Sequence, residues 1–185
     1  MRHLAALVLL TAACSTPSVT APTPFATSSA TMIVVPAPTS TPRTFVAGSD
    51  AKPMRGGCGQ TSILEGGIPQ SLVDATGNNS PGTPYAIAHP ATAAGFIFGY
   101  PLHMPDSGIT YSNKILWVVG TMRTGDLVID GHPIGASAPI VHYVQTPNSF
   151  PGEIYPSGID VPIAGCWQFT LRWAGQTADI ELEYR

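Results

Sequence analysis

The side chains best placed to do chemistry are four histidines, His89, His103, His132 and His142, with Met104 and Met122 as soft partners. His103 and Met104 stand side by side between Pro101 and Pro105. Imidazole and thioether together suit copper, so His103, Met104 and a second histidine make one candidate metal site. No ligand spacing recurs, however, and His132 directly follows Asp130-Gly131, where an exposed histidine needs no ligand. The reading is no metal or other cofactor, with a copper or other metal carrier as the alternative. Asp179, Glu181 and Glu183 alternate along one run. In a strand they point the same way, about 7 Å apart, and could pair as acid and base. Regular acidic alternation more simply makes a wet face that discourages edge pairing. No Gly-x-Ser-x-Gly elbow, His-Glu-x-x-His pair or glycine-rich phosphate loop is present. Catalytic residues are therefore not assigned, and an enzyme ranks third. Trp117, Trp167 and Trp173 are the largest apolar side chains. Core packing is the default for them, with Trp173 as a candidate platform for a sugar or peptide.

Strands position most of these residues. Trp167, Phe169, Leu171 and Trp173 alternate with Cys166, Gln168, Thr170 and Arg172; after Ala174-Gly175, Ala178, Ile180, Leu182 and Tyr184 alternate with Thr177, Asp179, Glu181 and Glu183. Period-two alternation predicts a hairpin with one buried and one wet face. A two-residue loop sets Trp173 against Gln176, Leu171 against Ala178, Phe169 against Ile180 and Trp167 against Leu182. A slip of one residue would turn every apolar side chain outward, so pattern and loop length agree on the register.

Upstream, strands are expected near residues 61–64, 85–89, 94–102, 114–119, 126–130, 140–144 and 159–161. Residues 114–119 are apolar on both faces and belong at the centre of a sheet. Asp130-Gly131 is read as a turn that ends its strand. No amphipathic helix is expected. Short strands at turn-punctuated intervals favour an all-β antiparallel sandwich of seven or eight strands over an up-and-down barrel.

The chain has 185 residues and a net charge of −3, with only 10% charged residues and 19 each of Gly and Pro. From Gly57 onward ten acidic residues face four basic ones, a balance of −6 that disfavours nucleic acid as a partner. Residues 1–13 read as a signal peptide. Arg2 precedes an apolar run, and Thr11-Ala12-Ala13-Cys14 resembles the lipobox of bacterial lipoproteins, in which the cysteine carries lipid. Residues 14–56 read as a tether: of the 42 residues 15–56, 27 are Ser, Thr, Pro or Ala, too polar to form a core. Met32-Ile33-Val34-Val35 interrupts it as an isolated apolar patch or a docking strand. Residues 57–185 are then the folded domain. With Cys14 lipidated, Cys58 and Cys166 remain as an even pair in an oxidising compartment, where disulfides persist. Two free or metal-bound thiols are the rival, without Cys-x-x-Cys spacing to support them.

From Ile154 to Trp173 the chain reads IYPSGIDVPIAGCWQFTLRW. This resembles the carboxy-terminal motif of a group of uncharacterised bacterial exported proteins and lipoproteins, approximately Pro-Ser-x-Ile-x-Val-Pro-x-x-Gly-Cys-Trp-x-Phe-Thr-x-x-Trp. Lys114-Ile115-Leu116-Trp117 and the run from Gly125 to Gly131 extend the likeness. The resemblance implies an immunoglobulin-like sandwich and brings no catalytic residues. Cys166 has the opposite parity to Trp167 and Phe169, unlike an antibody-type strand cysteine. A Cys58–Cys166 bond is therefore expected to clasp the entry segment at a sheet end, not to cross the core. The resulting expectation is a lipoprotein held to a membrane through Cys14, carrying a non-catalytic module for an extracytoplasmic protein or glycan.

Overall fold

The structure of the chain, a computed structural model, describes residues 41–77, 82–121, 125–148 and 153–185. Cys14, Met32-Ile33-Val34-Val35 and Met122 lie outside them. Ten strands and one short helix occur among the described residues: β1 (Lys52–Met54), β2 (Ile63–Glu65), α1 (Gln70–Thr76), β3 (Tyr85–Ile87), β4 (Ala93–Ile97), β5 (Lys114–Val119), β6 (Leu127–Pro133), β7 (Val141–Gln145), β8 (Ile154–Gly158), β9 (Gly165–Trp173) and β10 (Gln176–Tyr184). They form two antiparallel sheets, β1-β2-β3-β4-β5-β8 and β10-β9-β6-β7. The all-β sandwich expected from the sequence is present, with more strands than the seven or eight counted there.

The closing hairpin has the counted register, with Trp173 opposite Gln176, Leu171 opposite Ala178, Phe169 opposite Ile180 and Trp167 opposite Leu182. Ala174 and Gly175 both take positive φ, 41° and 75°, as a tight loop matched to strand twist requires. The hairpin's apolar face meets Ile97, Ile115, Trp117 and Tyr155 of the larger sheet in the main core. A second core lies on the far side of that sheet, where Phe45 and Leu72 cover Tyr85, Ala94, Phe96 and Val118. Cover on both faces explains why β4 is buried throughout and why β5 reads as continuously apolar.

That second layer moves the start of the fold forward of Gly57. The Arg43 amide donates to the Gly120 carbonyl and the Phe45 amide to Ala91, each at 2.8 Å. Phe45 is fully buried, and β1 lies wholly within the segment assigned to the tether. A single phenylalanine in a polar stretch leaves average composition unchanged, yet it fills a hole in the core. Helix α1 is likewise an addition. Seven residues with one fully buried side chain, Leu72, are too few to show a helical stripe.

Two local readings are corrected. Asp130-Gly131 is not a turn: β6 runs straight through it, with Gly131 paired to Phe169 on one side and Val141 on the other. A Cβ on Gly131 would lie 2.6 Å from the Phe169 ring, so the glycine makes room for the aromatic. Residues 159–161 are not a strand either. The Ile159 amide donates to the Asn113 carbonyl, and the Tyr143 hydroxyl holds the Asp160 backbone, so this segment is a pinned connection after β8.

Candidate functional site

Cys58 and Cys166 form a disulfide with Cα atoms 5.9 Å apart. Cys166 is exposed while Trp167 is fully buried, the parity expected from the sequence. The entry segment runs along the free edge of β10. The Glu183 amide donates to Gly56 at 2.9 Å and the Cys58 amide to Glu181 at 3.2 Å. The bond thus ties a segment on one edge of β10 to β9 on the other, outside the core.

The three carboxylates of β10 remain on the wet face, each with a structural partner. Asp179 Oδ1 accepts from the Thr170 hydroxyl at 2.6 Å, and Glu183 Oε2 accepts from Arg185 at 2.6 Å. Glu181 Oε2 accepts the Gln60 amide, closing the turn in which Thr61 bonds back to Cys58. His89 approaches the same spot, its Nε2 lying 3.0 Å from the Gln60 carbonyl. Gln60, His89, Gln168, Asp179 and Glu181 line a cavity of about 120 Å3. Its polar atoms fasten the entry turn. No signal in the sequence linked Glu181 to residue 60, which lies 121 positions away.

His103 is buried in the loop after β4, with both ring nitrogens engaged. Nδ1 lies 2.9 Å from the Met104 carbonyl and 3.1 Å from the Ser107 hydroxyl; Nε2 lies 2.7 Å from the Tyr111 carbonyl. Asn113 completes the staple, its Oδ1 accepting the His103 amide at 2.9 Å and its Nδ2 donating to the His103 carbonyl at 2.7 Å. Met104 packs on the main core. As positioned, His103 would have to surrender these bonds to ligate a metal. Among the described residues no group of three or more His, Cys, Asp or Glu gathers at ligating distance. Asn113, the residue that organises this loop, escaped the sequence reading because amides carry no motif.

Trp173, the candidate platform, is 2% exposed and belongs to the main core. The hairpin tip folds its ring onto the sandwich, so the platform reading is corrected. Among the described residues the exposed aromatics are instead Phe98, at 47%, and Tyr111, at 43%. Phe98 directly follows β4; its amide still donates to the Lys114 carbonyl at 2.9 Å and its ring centre lies 6.2 Å from that of buried Phe96, yet the ring is half-exposed. Phe98 and Tyr100 line an open groove of about 300 Å3 with Met54, Glu65, Thr83 and Pro84. The Tyr100 hydroxyl is anchored to the Arg55 carbonyl at 3.0 Å, and the Lys114 ammonium sits 5.5 Å from the Phe98 ring centre. Two buried tyrosines complete the titration picture. Burial, with a smaller push from Asp50, raises Tyr85 to about 12; burial also raises Tyr184 well above its ordinary value. Both stay protonated at neutral pH as hydroxyl donors, to Gly67 and Ile159 respectively.

No family model, curated protein or solved structure matches the chain. Among the described residues no helix is long and apolar enough to cross a membrane. An aromatic ring held half-exposed beside a fixed tyrosine and a carboxylate offers stacking, a hydrogen-bond acceptor and shape.

Proposed function

We propose that the chain is an exported lipoprotein, anchored to a membrane by lipid on Cys14, whose sandwich is a non-catalytic binding module for an extracytoplasmic glycan or protein. Its group is the exported family that the Gly165-Cys166-Trp167 segment resembles, and no cofactor or nucleic acid takes part. The anchor is supported by the apolar leader ending in Cys14 and by the polar segment after it. One observation carries the binding reading: Phe98 stands exposed in an open groove beside Tyr100. The polar clusters elsewhere are occupied in fastening loops, as Glu181 and His103 are.

Retention of the mature chain on insoluble cell-wall glycan tests this contact. Phe98→Ala and Tyr100→Ala are expected to lower retention about tenfold, the effect of losing roughly 1.4 kcal/mol of stacking. Retention equal to wild type in both variants contradicts the groove as contact surface. Glycan cleavage that depends on the chain contradicts the non-catalytic reading.

A further inference from the structure

Two sheets have four edges, and three of them carry a device that stops another strand from adding. β1 presents Lys52 and Pro53, a charge and a residue with no amide proton. β8 carries Pro156 at its centre, and the Asn148 amide already bonds to the Ile154 carbonyl at its start. β10 is covered by its own chain. Gly57 bridges Leu182 and His89 bridges Asp179, the latter with amide–carbonyl bonds of 2.7 and 2.8 Å in both directions.

Among the described residues β7 has no such device. Among the described residues its strand partner is β6 alone. From Val141 to Gln145 it contains no proline and no Lys, Arg, Asp or Glu. Ile140, just before it, is 73% exposed, and Val144 is 51% exposed. Tyr143 points the other way, its hydroxyl donating to the Asp160 carbonyl at 2.7 Å, which ties the inner face of the strand to the connection after β8. An edge without proline, lysine, arginine or carboxylate, flanked by exposed aliphatic side chains, is the template to which a further strand adds.

We infer that β7 pairs antiparallel with β7 of a second copy of this chain, joining two four-stranded sheets into one across a two-fold axis at His142. The strand suits its own copy because its outer face is symmetric about that residue: Ile140, His142, Val144. Pairing centred on His142 sets each Ile140 against the partner copy's Val144, burying all four exposed aliphatic side chains in two equivalent contacts. Val141 meets Tyr143 on the inner face. The two histidines face each other at the axis, each with Nδ1 held 2.6 Å from Asp130 Oδ1 of its own chain. Arg172 in turn pairs with Asp130, so each half of the junction carries its own balancing charges. Such a contact satisfies identical groups on both copies, as a two-fold interface must. Strands this short bury less than a standard interface, so the dimer is concentration-dependent.

The mature full-length chain tests the proposal in two ways. In sedimentation velocity, wild type is expected to pass from monomer to dimer with rising concentration, and Val144→Lys to weaken dimerisation about tenfold or more, because a lysine is placed twice at the junction. In mild oxidation, His142→Cys is expected to form an intermolecular disulfide, since directly opposed residues bring Cβ atoms to roughly 4.5–5.5 Å. Thr177→Cys, on the covered edge strand, serves as the control. Mixing Ile140→Cys with Val144→Cys chains should give the mixed dimer in preference to either self-dimer. A wild type that stays monomeric at every concentration reached leaves the edge to another occupant and overturns the proposal. Dimerisation undiminished in Val144→Lys overturns it too, as does His142→Cys cross-linking no faster than the control.

Discussion

Gly131 shows how one residue can carry opposite meanings. After an aspartate it has the sequence of a tight turn, yet it sits inside β6 with Phe169 packed over its bare Cα. The turn signal is local, whereas the reason for the glycine lies 38 positions away on another strand. A methyl group there would meet the Phe169 ring at 2.6 Å and Val141 Cγ2 at 2.9 Å. Gly131→Ala is therefore expected to destabilise the domain by about 1–3 kcal/mol through overpacking, read as a lower denaturation midpoint. An unchanged midpoint would mean that the core opens at this point without cost. His103 and Trp173 teach the same lesson. Their types suggested a ligand and a platform, while their burial, set by Asn113 and by the hairpin's fold onto the core, gave both structural work.

At the scale of elements, legibility follows how much of the pattern is local. The closing hairpin was readable in full because its alternation and its two-residue loop each fix the same register. β5 reads as a central strand because Ile115 to Val119 are apolar on both faces. β1, α1 and β8 give no such local signal. The first hides in a tether-like composition, the second buries one side chain, and the third has Pro156 where strand signals expect a branched residue. The Cys58–Cys166 bond belongs to this scale, since it fixes the entry segment against β10. It closes a sequence separation of 108 residues. On the chain-entropy view, reduction or a Cys58→Ser, Cys166→Ser double variant should cost up to about 4–5 kcal/mol of unfolding free energy. The expected fluorescence is native, with Trp117 and Trp167 still buried, because the bond lies outside the core. Equal stability of oxidised and reduced protein would contradict a clasping role.

For the whole molecule, the sequence supplies an apolar amino-terminal run, a polar segment and a domain of negative balance, and the described residues form a two-faced sandwich with an open groove at Phe98 and an edge strand, β7, paired only to β6. The groove was not legible beforehand. Phe96 and Phe98 share a parity in the sequence, and only the packing of Phe45 and Leu72 onto Phe96 tells the buried ring from the half-exposed one. The open edge emerges only when all four edges are compared, which requires the sheet order. The proposed membrane-held module depends on lipid at Cys14. The direct test is the intact mass of the mature protein extracted from its membrane, before and after reduction and alkylation. The account predicts a chain beginning at Cys14 with added acyl groups there, and two further alkyl groups after reduction, on Cys58 and Cys166. A chain beginning at any other residue, or one with an unmodified Cys14, would contradict it.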